Sequence, residues 1–544
     1  MQRAEEVKRV FQRCQTARHL HAAGGLNHVL VPANPTNDPK TCTTWKRVDN
    51  PEEVQSTIQQ RNQEHFGQSR NCTLTTPPLD FTMKFTATCP QADAILDGTF
   101  LQPTSQPNLL NLSDTQSHHS SQHSQAHSCE RDPPSTDEND TPDNPSHSPL
   151  HLQRADLPEL VSALIDSFQY KAIPNTIQPH ITEAEYKAKL KAWDERTSTS
   201  PFSNMHLGHL KAYWAEHTLP ERSKEAQELE DKRREILQGH LSLLNYALHF
   251  GYPFSSWKSI VNTMLEKDPG FPKIHRLRVI HLYEADYNLI LGVKWRQVLQ
   301  HTCASQHIND GCYGSQPGKE ATDAVVIREL EYELSRPTRK PSIHFDNDAT
   351  SCYDRIPCFL ANLASRKYGM HRKVCIVQGR TLEEAKYFLK TKLGVSDDFI
   401  QHCEAHPIFG TGQGSGNSPT YWLFISSTLF DLFDTRAKGS LFETPDKSLS
   451  VEIKAIGFVD DVRNSINAFL NNSITLEQLV RLATCNSQLW HDILTACNQA
   501  LELPKCGYHV LSYQFQPTDE PSLIEDPECQ LTLQDHNAQP LTIS

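Results

Sequence analysis

The 544-residue sequence is short of several features that would place it quickly. It has no run of about 18 apolar residues, so no helix is expected to cross a membrane. Its first residues, Met1-Gln-Arg-Ala-Glu-Glu-Val-Lys-Arg9, lack the apolar stretch of a secretory signal. The 15 cysteines are scattered from Cys14 to Cys529 without a Cys-x-x-Cys pair or a zinc-like spacing. An odd, dispersed set fits free thiols in a reducing compartment, so the expected location is intracellular, with nucleus and cytoplasm not distinguished. Hydrophobic residues make up only 37%, and the mean hydropathy is −0.56. Part of the length is therefore expected to stay out of any core. A positive excess is missing as well. The net charge of −13 argues against a general nucleic-acid binder. From Lys258 to Tyr513, however, the charges sum to about zero, so the excess acid lies in the flanks. Inside that neutral stretch Arg366, Lys367, Arg372, Lys373 and Arg380 cluster, either as a solvated helix face or as a strip facing phosphate.

Five segments are expected along the chain. Residues 1–102 form an N-terminal region without a chemical motif, in which Asn50-Pro-Glu-Glu53 reads as a helix start, with Pro51 in the first turn and acids at the positive dipole end. Residues 103–155 read as a disordered linker rich in His, Ser and acid, too polar to bury a core. Residues 156–254 show helical periodicity in Leu157–Ile165 and Glu183–Trp193, then a charged stretch leading into the helix Ile236–Phe250. His206 and His209 stand three apart where a helix begins, which reads as packing or capping rather than a metal pair. In residues 255–515 strands and helices alternate irregularly. Strands are expected at Ser342–Phe345 and Val451–Val459, and long helices at Thr322–Ser335 and Ser473–Leu501. That pattern is α+β with a small antiparallel sheet flanked by helices. Residues 516–544 form an acidic, turn-rich tail.

What is present in quantity is acid in an unusual place. Ile343-His-Phe-Asp-Asn-Asp-Ala-Thr-Ser-Cys-Tyr-Asp-Arg-Ile356 opens like a strand yet carries Asp346, Asp348 and Asp354. A second acid site follows at Ala455-Ile-Gly-Phe-Val-Asp-Asp-Val462, a short apolar run turning into a hairpin with Asp460 and Asp461 at its tip. Side chains alternate across a strand, so one acid of the pair can aim at a metal while the other supports it. If the two strands lie side by side, their carboxylates converge, and a divalent cation removes the cost of their repulsion. Mg²⁺ takes one or two carboxylates plus substrate phosphates, and a pair of ions suits in-line phosphoryl displacement. Between the acids, Gly410-Thr-Gly-Gln-Gly-Ser-Gly-Asn-Ser-Pro419 forms a flexible loop before the apolar helix Tyr421–Phe433.

The order of these motifs resembles the reverse transcriptases of non-LTR, LINE-like retrotransposons. The likeness runs through Pro272-Lys273, Arg278-Val-Ile280, Tyr313-Gly-Ser-Gln-Pro-Gly318, Asp348 to Asp354, Gln413-Gly414 with Ser418-Pro419, Phe458-Val-Asp-Asp461 and Leu503-Pro-Lys505, over about residues 268–515. The resemblance implies a right-hand polymerase with fingers and palm, a helical N-terminal region and little or no thumb, since only about 30 residues follow Tyr513. It implies RNA-directed DNA synthesis from dNTPs on an RNA template with a DNA or RNA primer, using two Mg²⁺ ions, with Mn²⁺ as a possible substitute. Asp348 lies five residues before Tyr353, the spacing of the family's first metal acid, so Asp348 and Asp460 are the implied ligands and Asp461 the supporting one. Asp346 is the alternative first ligand, and Asp354 is implied to be structural. Tyr353 would exclude a 2′-hydroxyl. Lys273 and Arg278 would hold the triphosphate. Gln413 and Gly414 would position template and nucleotide, and Lys505 would protonate pyrophosphate. The chain departs from the family at Gln316, Lys319-Glu320, Val279 and Cys506. The alternative is a catalytically silent retroelement remnant that only binds nucleic acid.

Overall fold

The computed structural model describes residues 26–69, 85–100 (without 87), 156–193 (without 170, 171, 174 and 175), 202–212 (without 204 and 206), 218–515 (without 221, 339, 393 and 469–473), 521–524 and 531–543 (without 536). The expected linker at 103–155, its His-rich tract and His206 lie outside the described residues.

The elements run β1 Val29–Pro32, β2 Trp45–Val48, α1 Pro51–Gly67, α2 Leu157–Gln169, α3 Glu183–Ala192, α4 Lys224–Phe250, β3 Ser259–Glu266, β4 Leu277–Leu282, α5 Ala285–Ala304, α6 Ala321–Thr338 and β5 Ser342–Asp348. They continue with α7 Cys358–Lys367, α8 Arg372–Glu383, β6 Lys386–Thr391, β7 Gly394–Gln401, α9 Ser418–Arg436, β8 Ser440–Glu443, β9 Ser450–Ile453, β10 Ala455–Phe458, β11 Asp461–Asn467, α10 Leu476–Ala496 and β12 Gly507–Leu511. The class is α+β, as the irregular alternation predicts. Among the described residues the larger sheets are two, each four-stranded, rather than one, and β1-β2 and β8-β9 form separate two-stranded ribbons. The first is antiparallel throughout, in the order β10-β11-β5-β12. The second, in the order β4-β3-β6-β7, contains one parallel pair, β3 with β6.

Local chemistry sets several boundaries. The Asn50 side chain accepts from the backbone N–H groups of Glu52 and Glu53 and starts α1. Thr475 and Gln478 form a reciprocal capping box that starts α10. The charged stretch before Ile236 is itself helical. Ser223 caps it, its charges pair along the surface (Arg233 with Glu230 at 2.6 Å), and α4 runs unbroken for 27 residues to a left-handed Gly251. The strand expected at Val451–Val459 splits at Lys454. Its first half pairs with β8 and its second with β11, so two hairpins share what looks like one apolar run.

One face of the first sheet belongs to the core. Ile343 and Phe345 of β5 and Val462 and Ile466 of β11 are buried there, and Trp490 of α10 donates to Asn347 at 2.8 Å. Ser342, His344, Asp346 and Asp348 occupy the opposite face by strand parity. The N-terminal elements are built into the second sheet. Lys392 N–H donates to the Leu26 carbonyl at 3.1 Å, Leu30 N–H to that of Pro272 at 2.9 Å, and Arg61 to that of Leu277 at 3.0 Å. After β12 the described tail forms two short hairpins. One of them docks on α10 through paired hydrogen bonds between Gln488 and the Gln534 backbone at 2.7 and 2.9 Å.

Candidate active site

β5 ends on Asp348, and the antiparallel register sets Asp461 of β11 directly opposite it. The β10–β11 hairpin closes with a two-residue loop, Val459-Asp460, between the paired Phe458 and Asp461. The backbone of Val459 has φ +63°, in the region that favours glycine and is costly for a β-branched residue. Neighbours hold it there. Trp422 of α9 donates to the Val459 carbonyl at 2.6 Å, and Gly314 approaches so closely that a Cβ on it would lie 2.3 Å from the Val459 nitrogen. Tyr313 N–H also donates to the Gly457 carbonyl at 2.8 Å, so the 311–314 segment runs along the edge of the hairpin.

Three carboxylates therefore meet at one corner of the sheet. Burial raises the Asp460 carboxyl above its ordinary value, and the charges of Asp348 and Asp461 push the same way. Burial also raises Asp461, with Asp348 adding to it. Lys505 supplies the compensating charge. Its ammonium bonds to Asp348 Oδ2, which raises the Lys505 pKa above its ordinary value. The segment bearing Lys505 is fixed by backbone hydrogen bonds from Glu502 N–H to the Asp348 carbonyl and from Thr350 N–H to that of Ala500, both 2.8 Å. The other two acids are committed elsewhere. Asp346 accepts a two-pronged bond from Arg463 at 2.7 and 2.9 Å and faces His509 at 3.1 Å, which takes it out of the running as first ligand. Asp354 is buried against His65 of α1 at 2.9 Å.

The remaining expected residues are distributed around this corner. Tyr353 lies half-buried just after β5, its ring 6.5 Å from that of Trp422, and the Asp460 charge is among those it feels. The Gln413 carbonyl accepts from His281 N–H at 2.7 Å, and a Cβ on Gly414 would lie 2.4 Å from the His281 carbonyl oxygen, so the glycine-rich loop closes on β4. Arg278, on β4, is exposed. Lys273 sits apart from the carboxylates, its ammonium 5.2 Å from the centre of the Trp45 ring.

Sequence reasoning missed two cations. Burial lowers the Lys267 pKa, and Arg278, Lys505, Arg276 and Arg61 add to it, so these positive groups lie near one another, with Lys505 the one bonded to Asp348. Lys267 lay in plain view before the Pro272-Lys273 motif. Arg61 gave no signal, because its helix carries nothing but ordinary amphipathic patterning. Of the two readings of the basic cluster at 366–380, neither a continuous solvated face nor a phosphate-facing strip describes it fully, because most of its members are paired or buried. Arg366 and Arg372 bind Asp93, Lys367 is buried against Thr428 and Asp431, and Arg380 reaches the Gly251 carbonyl.

Among the described residues, no three His, Cys, Asp or Glu side chains are grouped so as to hold a metal ion by themselves. The donor chemistry still fits Mg²⁺. That ion completes its shell with water and substrate phosphate around one or two carboxylates, and it would relieve the repulsion that raises Asp460 and Asp461. No family model and no curated protein matches the chain.

Proposed function

We propose that the chain is an RNA-directed DNA polymerase, with β10-β11-β5-β12 as its palm and β4-β3-β6-β7 as its fingers. The observation that carries this reading is the register that sets Asp461 opposite Asp348, with Asp460 at the adjoining loop. Mg²⁺, or Mn²⁺ in its place, would bind Asp348 and Asp460 and supply charge stabilisation as a primer 3′-oxygen displaces pyrophosphate from a dNTP. The chain's own residues orient and exclude. Tyr353 presents a flat ring beside the carboxylates, where it would leave no room for a 2′-hydroxyl. Arg278, with Lys267 and Arg61 beside it, would bind phosphate oxygens. Lys505 carries a proton within reach of Asp348 and can hand it to the leaving pyrophosphate. Gln413 and Gly414 bring the backbone of the glycine-rich loop to the end of β4, where template and nucleotide would lie.

Primer extension tests the reading. The full chain is given an annealed DNA primer on an RNA template, dNTPs and Mg²⁺ or Mn²⁺, beside an Asp460→Asn variant. Extension by the wild type alone supports the proposal. Extension that survives the substitution removes the two-carboxylate mechanism, and no extension by either protein favours the silent remnant.

A further inference from the structure

A second region, on elements that carry none of the carboxylates, is shaped for a ligand. The last turns of α4 lie against the start of α8, and the extended segment 176–182 runs alongside. Each piece is fixed. Asn245 of α4 bonds both the N–H and the carbonyl of Ile181, at 2.7 and 2.9 Å, as a neighbouring strand would. Gly251 ends α4 so close to Ile376 of α8 that an added Cβ would stand 3.1 Å from it. His371 caps α8, its Nδ1 accepting from Lys373 N–H at 3.1 Å. That bond leaves the neutral ring's proton on Nε2 as a donor.

These pieces enclose an open cavity of about 650 Å³, lined by Gln178, His180, Ser242, Tyr246, His249, His371 and Lys373 among others. Among the described residues, no aspartate or glutamate lines it. In a chain of net charge −13, an acid-free concavity holding three histidines and a lysine is set apart from the rest of the surface. Its rim is aromatic. Tyr246 and Phe250 are 53% and 61% exposed, their ring centres are 4.6 Å apart, and His249 stands edge-on to Phe250 at 4.9 Å. Lys373 is the one member of the clustered basic residues at 366–380 that lines this space.

We propose that this face docks single-stranded RNA. Exposed flat rings beside a cation are what unpaired bases and their phosphates require, since bases stack on aromatic planes whatever their sequence. The lining mixes polar groups with aromatic surface, which suits a nucleic acid, with its flat bases and polar backbone, better than the apolar face of a protein helix. Ser242 and Gln178 offer hydrogen-bonding partners for 2′-hydroxyls. The inference does not depend on the polymerase reading, because it uses none of that site's residues.

The test uses the full chain and a 15-nucleotide oligouridylate carrying 4-thiouridine. Irradiation followed by peptide mass spectrometry is expected to place adducts on Tyr246, His249 or Phe250. In an anisotropy titration, Tyr246→Ser/Phe250→Ser/Lys373→Glu should lose roughly tenfold or more in affinity, since each stacked base contributes about 1–3 kcal/mol. All three substitutions sit on exposed or half-exposed positions, and circular dichroism checks that the variant folds. Adducts confined to other segments, or unchanged affinity in the folded triple variant, overturn the proposal. Equal labelling by the matching DNA overturns the RNA assignment. Self-association that buries this face in the absence of RNA assigns it to a protein contact instead.

Discussion

Two ends of one strand face treat the same side chain in opposite ways. Asp346 and Asp348 lie two residues apart on β5 and point the same way. Asp346 is neutralised by a fork of two hydrogen bonds from Arg463, whose guanidinium is stacked on the Tyr332 ring at 5.1 Å. Asp348 is 8% exposed and faces Asp461 across the ladder with Asp460 beside it, three carboxylates served by one half-flexible lysine. Asp346 is held by a buried guanidinium, whereas the ion pair of Asp348 is made by a largely exposed lysine beside two further carboxylates that burial raises. The first arrangement is what an acid that holds the sheet requires, and the crowding in the second is what the proposed ligand site requires. Substitutions at the two ends should therefore fail in different currencies, one in activity and the other in stability.

The largest expected effect is at the end where the three carboxylates meet. Asp460→Asn, and separately Asp348→Asn, should lower primer extension by on the order of a hundred- to a thousandfold or more, the scale of removing a central electrostatic contact. The same changes relieve like-charge repulsion, so the urea midpoint should stay level or rise. A large fall in stability would place these acids with Asp346 instead. Next comes Lys505→Met. If Lys505 serves as the acid, extension should fall about a hundredfold while stability changes by less than about 1 kcal/mol, because the lysine is largely exposed. Lys505→Arg, which keeps the charge but does not release its proton, should recover little of the rate.

The paired end should answer in stability. Asp346→Ala leaves Arg463, whose side chain is 8% exposed, with a buried and unpaired charge. That should cost about 1–3 kcal/mol in urea unfolding. The double variant Asp346→Ala/Arg463→Met should be more stable than the single one, since no charge is then stranded. A single variant as stable as the wild type would show that the fork contributes nothing and would erase the contrast.

How much of this was legible in the sequence follows from distance along the chain. The parity of Asp346 and Asp348 on one strand face is a local pattern and was readable; the hairpin was readable too, but its tip was read one residue late, since the loop is Val459-Asp460 and Asp461 already lies in β11. The partner that decides each acid's role is remote. Arg463 stands 117 residues from Asp346, and His65 stands 289 from Asp354. Nothing in the amphipathic pattern of α1 shows that its Arg61 and His65 reach the elements around the carboxylates. The parallel pairing of β3 with β6 joins segments separated by six intervening helices and strands, and short runs such as Lys386–Thr391 carry no mark of their neighbours. The split of the run 451–459 at Lys454 likewise depends on which strands lie beside each half.

The smallest expected effect sharpens the comparison from deeper on the same face. Beyond Asp346, His344 is fully buried between Ser342 and Ser465, with Glu331 of α6 3.8 Å away. Burial raises Glu331 to about 7 and lowers His344 to about 3. The signs oppose. Between the ordinary glutamate value and about 7, the folded state holds a proton on Glu331 that the unfolded chain has lost, so this group makes stability fall as pH rises. Between about 3 and the ordinary histidine value, the unfolded chain binds a proton that folded His344 does not, so that group makes stability rise with pH. Their windows overlap near pH 5–6, and the wild type should show a nearly flat urea midpoint there. Glu331→Gln should uncover the rise from His344, and His344→Asn should uncover the fall from Glu331, each by on the order of 1 kcal/mol per pH unit. A flat profile in both variants would mean that the buried pair titrates as one unit with no proton exchanged on folding. The covered half of the face would then be electrostatically inert, in contrast with the carboxylates at its open end, which burial and their mutual repulsion raise.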